Sequence, residues 1–158
     1  MAGHFLTLEG GEGAGKSTQA RLLARALCAL GLPVLHTREP GGAPGSERLR
    51  ALLLAGETDW SAEAETFLHF AARAEHIART IRPALAAGFW VICDRFTDST
   101  LAYQGYGLGA DRSLITRLGN LIGLSPDLTF ILDISEDTAK YRLSSRGQDA
   151  DRYERLDA

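Results

Sequence analysis

The sequence predicts an α/β fold, a three-layer sandwich in which one parallel β-sheet is flanked by helices. Short apolar β-type runs recur at residues 5–8, 33–36, 89–93 and 128–132, each separated from the next by a segment with helical patterning. That alternation is the β-α-β rhythm of a parallel sheet, whose crossovers need a helix. A glycine-rich turn directly after the first run supports the same architecture. With 158 residues, 45% of them apolar, the chain can bury a sizeable core as a single domain.

The elements follow in order. Between the first two runs Leu22, Leu23, Ala26, Leu27 and Leu30 fall at helical spacing, and Gly31 closes the helix before Pro33 restarts extended chain. A short helix is expected over 46–54. The longest is expected over 61–87, with Ser61 as its N-cap and Glu63 and Glu65 in its first turn. Its core stripe reads Phe67, Phe70, Ala74, Ile77, Ile81 and Leu85, and Pro83 is placed to kink it near the end. Further helices are expected to start near Thr97 and to cover 111–122 and 135–144. From Ser144 onward the chain is polar and reads as a mobile loop. The expected organisation is a core over 1–143 and a loop over about 144–155, with the sequence stopping inside its fold.

Composition excludes several functions. The 17 Lys and Arg against 20 Asp and Glu give a net charge of -3, which removes any global electrostatic case for wrapping nucleic acid or lying on an anionic membrane. No run approaches the roughly 20 apolar residues that span a bilayer, and Glu9 interrupts the N-terminus too early for a signal peptide. A cytoplasmic protein is expected. Cys28 and Cys93 sit in apolar segments outside any CxxC spacing and read as reduced core thiols. The four histidines are too scattered for a metal pattern, and His4, His36 and His76 receive no role.

After the first run come Gly10, Gly11, Glu12, Gly13, Ala14, Gly15, Lys16 and Ser17, a GxxxxGK[ST] phosphate loop leading into a helix. Glycines let the backbone N–H groups turn inward, and with the positive end of the helix they enclose a polyphosphate. Lys16 can reach the β- and γ-phosphates, and the Ser17 hydroxyl offers an oxygen to Mg²⁺. Nucleoside triphosphate binding follows. The loop alone does not separate a kinase from a GTPase, an ATPase or a regulatory binder.

Ligands of a parallel α/β sheet gather at the carboxyl ends of its strands, and here those ends carry arginines. Asp94-Arg95 places an acid and a guanidinium beside the phosphate loop, where Arg95 can clamp a phosphate bidentately; a structural ion pair is the other reading. Arg38-Glu39 reads equally as a solvated acid-base pair in a turn. His69 and Arg73, four residues apart, share a helix face turned away from the core stripe, either as a projecting ring and fork or as a solvated pair. Phe70 lies on the stripe. Thr100, Tyr103 and Gln104 carry groups that read base edges, although an exposed amide near a helix end is as ordinary. Arg142, Arg146, Arg152 and Arg155 crowd the polar tail, as a basic loop that folds over nucleotides or as a solvated terminus.

Five segments taken together resemble the bacterial thymidylate kinases: 9–18 (EGGEGAGKST), 38–42 (REPGG), 71–73 (AAR), 94–96 (DRF) and 99–105 (STLAYQG). The resemblance covers nearly the whole chain. It implies a P-loop kinase, a homodimer, that uses ATP and Mg²⁺ to phosphorylate dTMP to dTDP. It assigns residues 10–17 to ATP, with Thr18 and Arg142 beside them, and Ser17 and Asp94 to the metal. It assigns Arg73 and Arg95 to the dTMP phosphate, Glu39 and Arg50 to its organisation, Thr100 and Gln104 to the thymidine moiety, and Tyr103 to the deoxyribose. Glu12 matches the acid between loop and acceptor, and Arg146 or Arg152 matches a lid arginine acting as transition-state clamp.

Two departures stand out. The family's stacking phenylalanine, four residues before the helix arginine, is His69 here, with Phe70 next to it as a second candidate against the base. The family also continues past the lid with a strand and a closing helix that this sequence lacks. The competing readings are a kinase for another pyrimidine nucleoside or nucleotide, and a non-catalytic P-loop binder.

Overall fold

A computed structural model describes residues 3–56 and 58–145. Four parallel strands, β1 (His4–Glu9), β2 (Val34–Arg38), β3 (Trp90–Asp94) and β4 (Leu128–Ile131), form one sheet in the order β2-β3-β1-β4. The two central strands are buried on both faces, as parallel strands under helices must be, and they read as near-continuous apolar runs. Alternation sorts their side chains. Phe5, Val91 and Cys93 face one layer with Ile77, Ile81 and Phe96, while Leu8 and Ile92 face the other with Ala20. β4 is exposed along most of its length, and Ile131 is 76% exposed.

Helix α1 (Lys16–Ala29) follows the phosphate loop, and α2 (Pro44–Leu54) starts with proline in its first turn, where a missing N–H costs nothing. α3 (Ala62–His76) is capped by Ser61, whose hydroxyl accepts from Ala64 N, as expected. The helical run continues to residue 86, but through a π-helical turn at Ile77–Ile81 before α4 (Arg82–Ala86). Arg82 N–H reaches back to the Ile77 carbonyl, so the wide turn sits immediately before Pro83, which has no N–H to give. α5 (Thr97–Thr100) likewise widens into a π-helical segment at Leu101–Gly107. α6 (Arg112–Ile122) and α7 (Glu136–Ser144) complete the described chain.

Three expectations are corrected. Cys28 is exposed on α1, and only Cys93 is a core thiol. On α3 the stripe is rotated: Phe67 and Ala74 face outward, whereas Glu65, Thr66, His69, Phe70, Arg73 and His76 are buried. Apolar spacing placed the core one face away because the inward face of α3 serves a polar cavity as well as the core. The strands β2 and β3 also extend to Arg38 and Asp94, so these residues close the strands instead of following them.

Candidate active site

The strand order reverses between β3 and β1, and the carboxyl ends of these two strands form the floor of the site. The phosphate loop leaves β1 with Gly10, Gly13 and Gly15 at positive φ (138°, 75° and 92°). At Gly10 a Cβ would also lie 2.3 Å from the Leu132 carbonyl oxygen, so glycine is required twice over. Gly15 then caps α1, whose first-turn N–H groups point into the loop. Lys16 is buried and donates from Nζ to the Gly11 carbonyl at 2.6 Å. Burial holds its pKa below the ordinary value, and the Arg95 guanidinium adds to the depression against the pull of Glu12, Asp94 and Glu9.

Ser17 Oγ donates to Asp94 Oδ2. The other carboxylate oxygen, Asp94 Oδ1, is buried without a hydrogen-bond partner among the described residues. A hydroxyl and an orphaned carboxylate oxygen beside a phosphate cradle are hard oxygen donors of the kind Mg²⁺ takes, so the residues present fit that ion. Arg142 reaches back from α7 to the Gly13 carbonyl at 3.1 Å, which puts one of the tail arginines at the loop.

Two cavities of about 520 and 620 Å³, open mouths included, adjoin at this floor. One is lined by the loop residues Gly13, Gly15, Lys16, Ser17 and Thr18 together with Arg38 and Asp94. The other is lined by Pro40, Leu54, His69, Arg73, Phe96, Ser99, Thr100, Tyr103 and Gln104. Glu12, Glu39, Arg50 and Arg95 line both and form the wall between them.

Arg95 is the centre of that wall. It is the one described non-glycine residue at positive φ (70°), a conformation that turns its side chain back over the loop. Its guanidinium donates to Glu12, to the Gly10 carbonyl at 3.3 Å, to Ser99 Oγ at 3.1 Å and to the Tyr103 hydroxyl at 3.3 Å, and it stacks over the Tyr103 ring. Burial works to lower its pKa, but the Glu12 carboxylate and Tyr103 outweigh burial and raise it. Beneath, Glu9 accepts from Phe96 N at 2.7 Å and from Ser99 Oγ at 2.6 Å, fixing the start of the 96–107 segment. Burial pushes the Glu9 carboxyl up, against those two hydrogen bonds.

The two adjacent charged pairs suggested by the sequence do not pair internally. Asp94 meets Ser17, while Arg95 meets Glu12. Arg38 turns outward to Glu47 at 3.1 Å, whereas Glu39 turns inward, where Oε2 accepts from Arg73 Nε at 2.6 Å and Oε1 lies 3.0 Å from His76 Nδ1. Arg73 also donates from Nη2 to the Phe96 carbonyl and to Thr100 Oγ1, leaving Nη1 buried and without a partner among the described residues.

His69 and Arg73 therefore share a buried face that opens into the second of these cavities, and neither is a solvated residue. Phe70 does not line the cavity; it packs with Ala110 and Ile115, and the Arg73 guanidinium lies over its ring. Gln104 is buried rather than exposed, its Nε2 donating to Glu65 Oε1 at 2.9 Å. Arg146 and Arg152 lie outside the described residues.

Sequence reasoning missed His76 and Glu65. The fully buried His76 bridges Glu39 and Thr37 Oγ1 (2.8 Å) and rules out a side chain at Gly42, whose Cβ would lie 2.3 Å from His76 Nε2. The signal was present, since 65, 69, 73 and 76 recur at helical spacing as a polar stripe. Glu39, His76 and Cys93 also bring three possible metal-ligand atoms within 4.8 Å of one another. The Arg73 guanidinium on Glu39 disfavours a cation there, and burial pushes the Cys93 thiol well up, so the cluster is a hydrogen-bonded support.

A family model described as thymidylate kinase matches residues 8–158. A thymidylate kinase from Gluconobacter oxydans is 55% identical over 96% of this chain and 73% of its own length. One from Rhizorhabdus wittichii is 53% identical over 99% and 77%. Among solved structures, the thymidylate kinase of Ehrlichia chaffeensis superposes with a TM-score of 0.80 at 42% identity, covering 92% of this chain and 84% of that one.

The buried lysine carries a stability cost with a definite sign. A lysine whose folded pKa lies below its unfolded value opposes folding while it is charged, and that penalty fades as pH rises toward the ordinary value of 10.5. Lys16→Met is expected to melt a few degrees above the parent at neutral pH, with the difference shrinking in alkali, while triphosphate binding weakens at least about thirtyfold. Thermal scans and calorimetric titration check both; a variant that melts lower at pH 7 contradicts the assignment.

Proposed function

The chain belongs to the thymidylate kinase family, and on that premise we propose that it transfers the γ-phosphoryl group of ATP, with Mg²⁺, to the 5′-phosphate of dTMP. The observation that carries the residue-level reading is the shared wall: Glu12, Glu39, Arg50 and Arg95 face both cavities, so a phosphate entering from either side meets the same groups. An acceptor phosphate oxygen attacks the γ-phosphorus, the bond from that phosphorus to the β,γ-bridging oxygen breaks, and ADP and dTDP result. The attacking oxygen is already anionic, so no strong general base is required; the barrier lies in bringing two polyanions together.

The phosphate loop and Lys16 hold the β- and γ-phosphates. Ser17 and Asp94 would hold Mg²⁺, which neutralises charge on those oxygens. Arg50 and Arg95 take the acceptor phosphate. Arg73, assigned to that phosphate by resemblance, lines only the acceptor cavity, beside Thr100 and Gln104, and its unpartnered Nη1 suits the base end better. His69 supplies a flat ring against the base, and Tyr103, stacked under Arg95, packs toward the sugar. The resemblance further supports Arg142 at the ATP side, a lid over about 144–155 and a transition-state role for Arg146 or Arg152. It also supports a homodimer: Phe67, Ala71, Ala74 and Ala78 form an exposed apolar stripe on the helical run from α3, suited to a second copy. No helix among the described residues is long and apolar enough to cross a membrane.

ADP release is expected with dTMP, more weakly with dUMP, and not with thymidine; turnover of thymidine but not dTMP overturns the acceptor assignment. Substituting His69→Phe enlarges the apolar ring and is expected to leave dTMP binding equal or tighter, by up to about tenfold. Clearly weaker binding refutes stacking by His69. Sedimentation is expected to report a dimer that Phe67→Glu converts to monomer, and an unaltered dimer in that variant places the interface elsewhere.

A further inference from the structure

The base end of the acceptor cavity has a polar pattern set by residues behind it. Gln104 is 1% exposed, and its Nε2 donates to Glu65 Oε1 at 2.9 Å. Glu65 stands one turn before His69 on α3 and is itself fully buried. A carboxylate only accepts, so the amide is held with its NH₂ group against Glu65 and its carbonyl Oε1 as the other end. Reversing the amide would set two buried oxygens against each other, which burial away from water makes expensive.

Arg73 is fixed in the same manner. Nε is taken by Glu39, and Nη2 by the Phe96 carbonyl and Thr100 Oγ1, so Nη1 is its unspent donor. Arg73 and Gln104 both line the cavity, and the groups they have left over are a donor on Arg73 and a carbonyl acceptor on Gln104. A 4-oxo pyrimidine presents the complementary edge, an acceptor at O4 beside a donor at N3–H. A 4-amino pyrimidine presents a donor at N4 beside an acceptor at N3, and meets both groups wrongly.

We propose that Glu65 is a specificity-determining positioning residue, which by pinning the Gln104 amide selects 4-oxo over 4-amino pyrimidine nucleotides. The inference rests on the reading of this cavity as the dTMP site. Glu65 touches no substrate in this scheme; it acts through Gln104.

The test is the ratio of dissociation constants for dCMP and dTMP, measured by calorimetric titration so that turnover is not needed. The unmodified chain is expected to prefer dTMP. In Glu65→Gln either end of the Gln104 amide can face the base, and the preference is expected to fall at least about tenfold. The exchanged pair, Glu65→Gln with Gln104→Glu, returns an acceptor-only group to the base and a donor behind it. It is expected to restore the preference to within about threefold of the parent. A purely structural role for Glu65 would weaken both ligands equally and would not be rescued by exchange. A preference that survives Glu65→Gln, or an exchanged pair that discriminates no better than the single variant, overturns the inference. If Glu65→Gln does not fold, the exchanged pair decides alone. An unmodified chain that binds the two nucleotides equally overturns instead the reading of the cavity, and with it this inference.

Discussion

On the proposed reading, charge repulsion between two phosphate-bearing ligands is the constraint around which this molecule is arranged. Each ligand alone could be held by a conventional cavity, but transfer requires the two anions to touch. The two cavities share a wall at the reversal of strand order, where β1 and β3 deliver the phosphate loop and Arg95 to the same place, which suits that requirement. The left-handed backbone at Arg95 and its ties to Glu12, Gly10, Ser99 and Tyr103 hold the guanidinium where that wall needs it. A preset cation costs no reorganisation when charge develops on the transferred group.

Holding polar groups inside a domain of this size is costly, and the cavity beside Arg95 is lined and backed by them. Glu39, Glu65, His69, Arg73, His76 and Gln104 are all buried. Buried ionic groups add little net stability, because desolvation offsets much of their attraction, so their benefit here is positional. The chain Thr37–His76–Glu39–Arg73 ties β2 to α3, and Glu65–Gln104 ties α3 to the π-helical segment. Both π-helical turns adjoin this network, in keeping with the tendency of such turns to fall near functional sites.

Much of this was legible in the sequence. The four strands, the capped start of α3 and the phosphate loop followed from periodicity, Ser61 and the glycine spacing, since each is signalled by residue types within a few positions of one another. The rotation of α3 was not legible, because Phe67 and Ala74 are apolar yet face outward while the charged residues face in; periodicity reports apolar spacing and not which face a cavity occupies. The partners of Glu39 and Arg95 were also hidden. Adjacent acids and bases looked paired, but Arg38 meets Glu47 while Glu39, just past the end of β2, meets Arg73 and His76, and only the assembled sheet brings Glu12 to Arg95 across 83 positions.

The most direct test of the shared wall is the binding of a single ligand in which adenosine and thymidine are joined through their 5′ ends by a polyphosphate chain. If one wall serves two adjoining cavities, this ligand binds at least about a hundredfold more tightly than dTMP or ADP alone and is displaced by either of them, because the second contact becomes intramolecular. A linked ligand that gains nothing over the better of its halves, or that only one nucleotide displaces, contradicts the account.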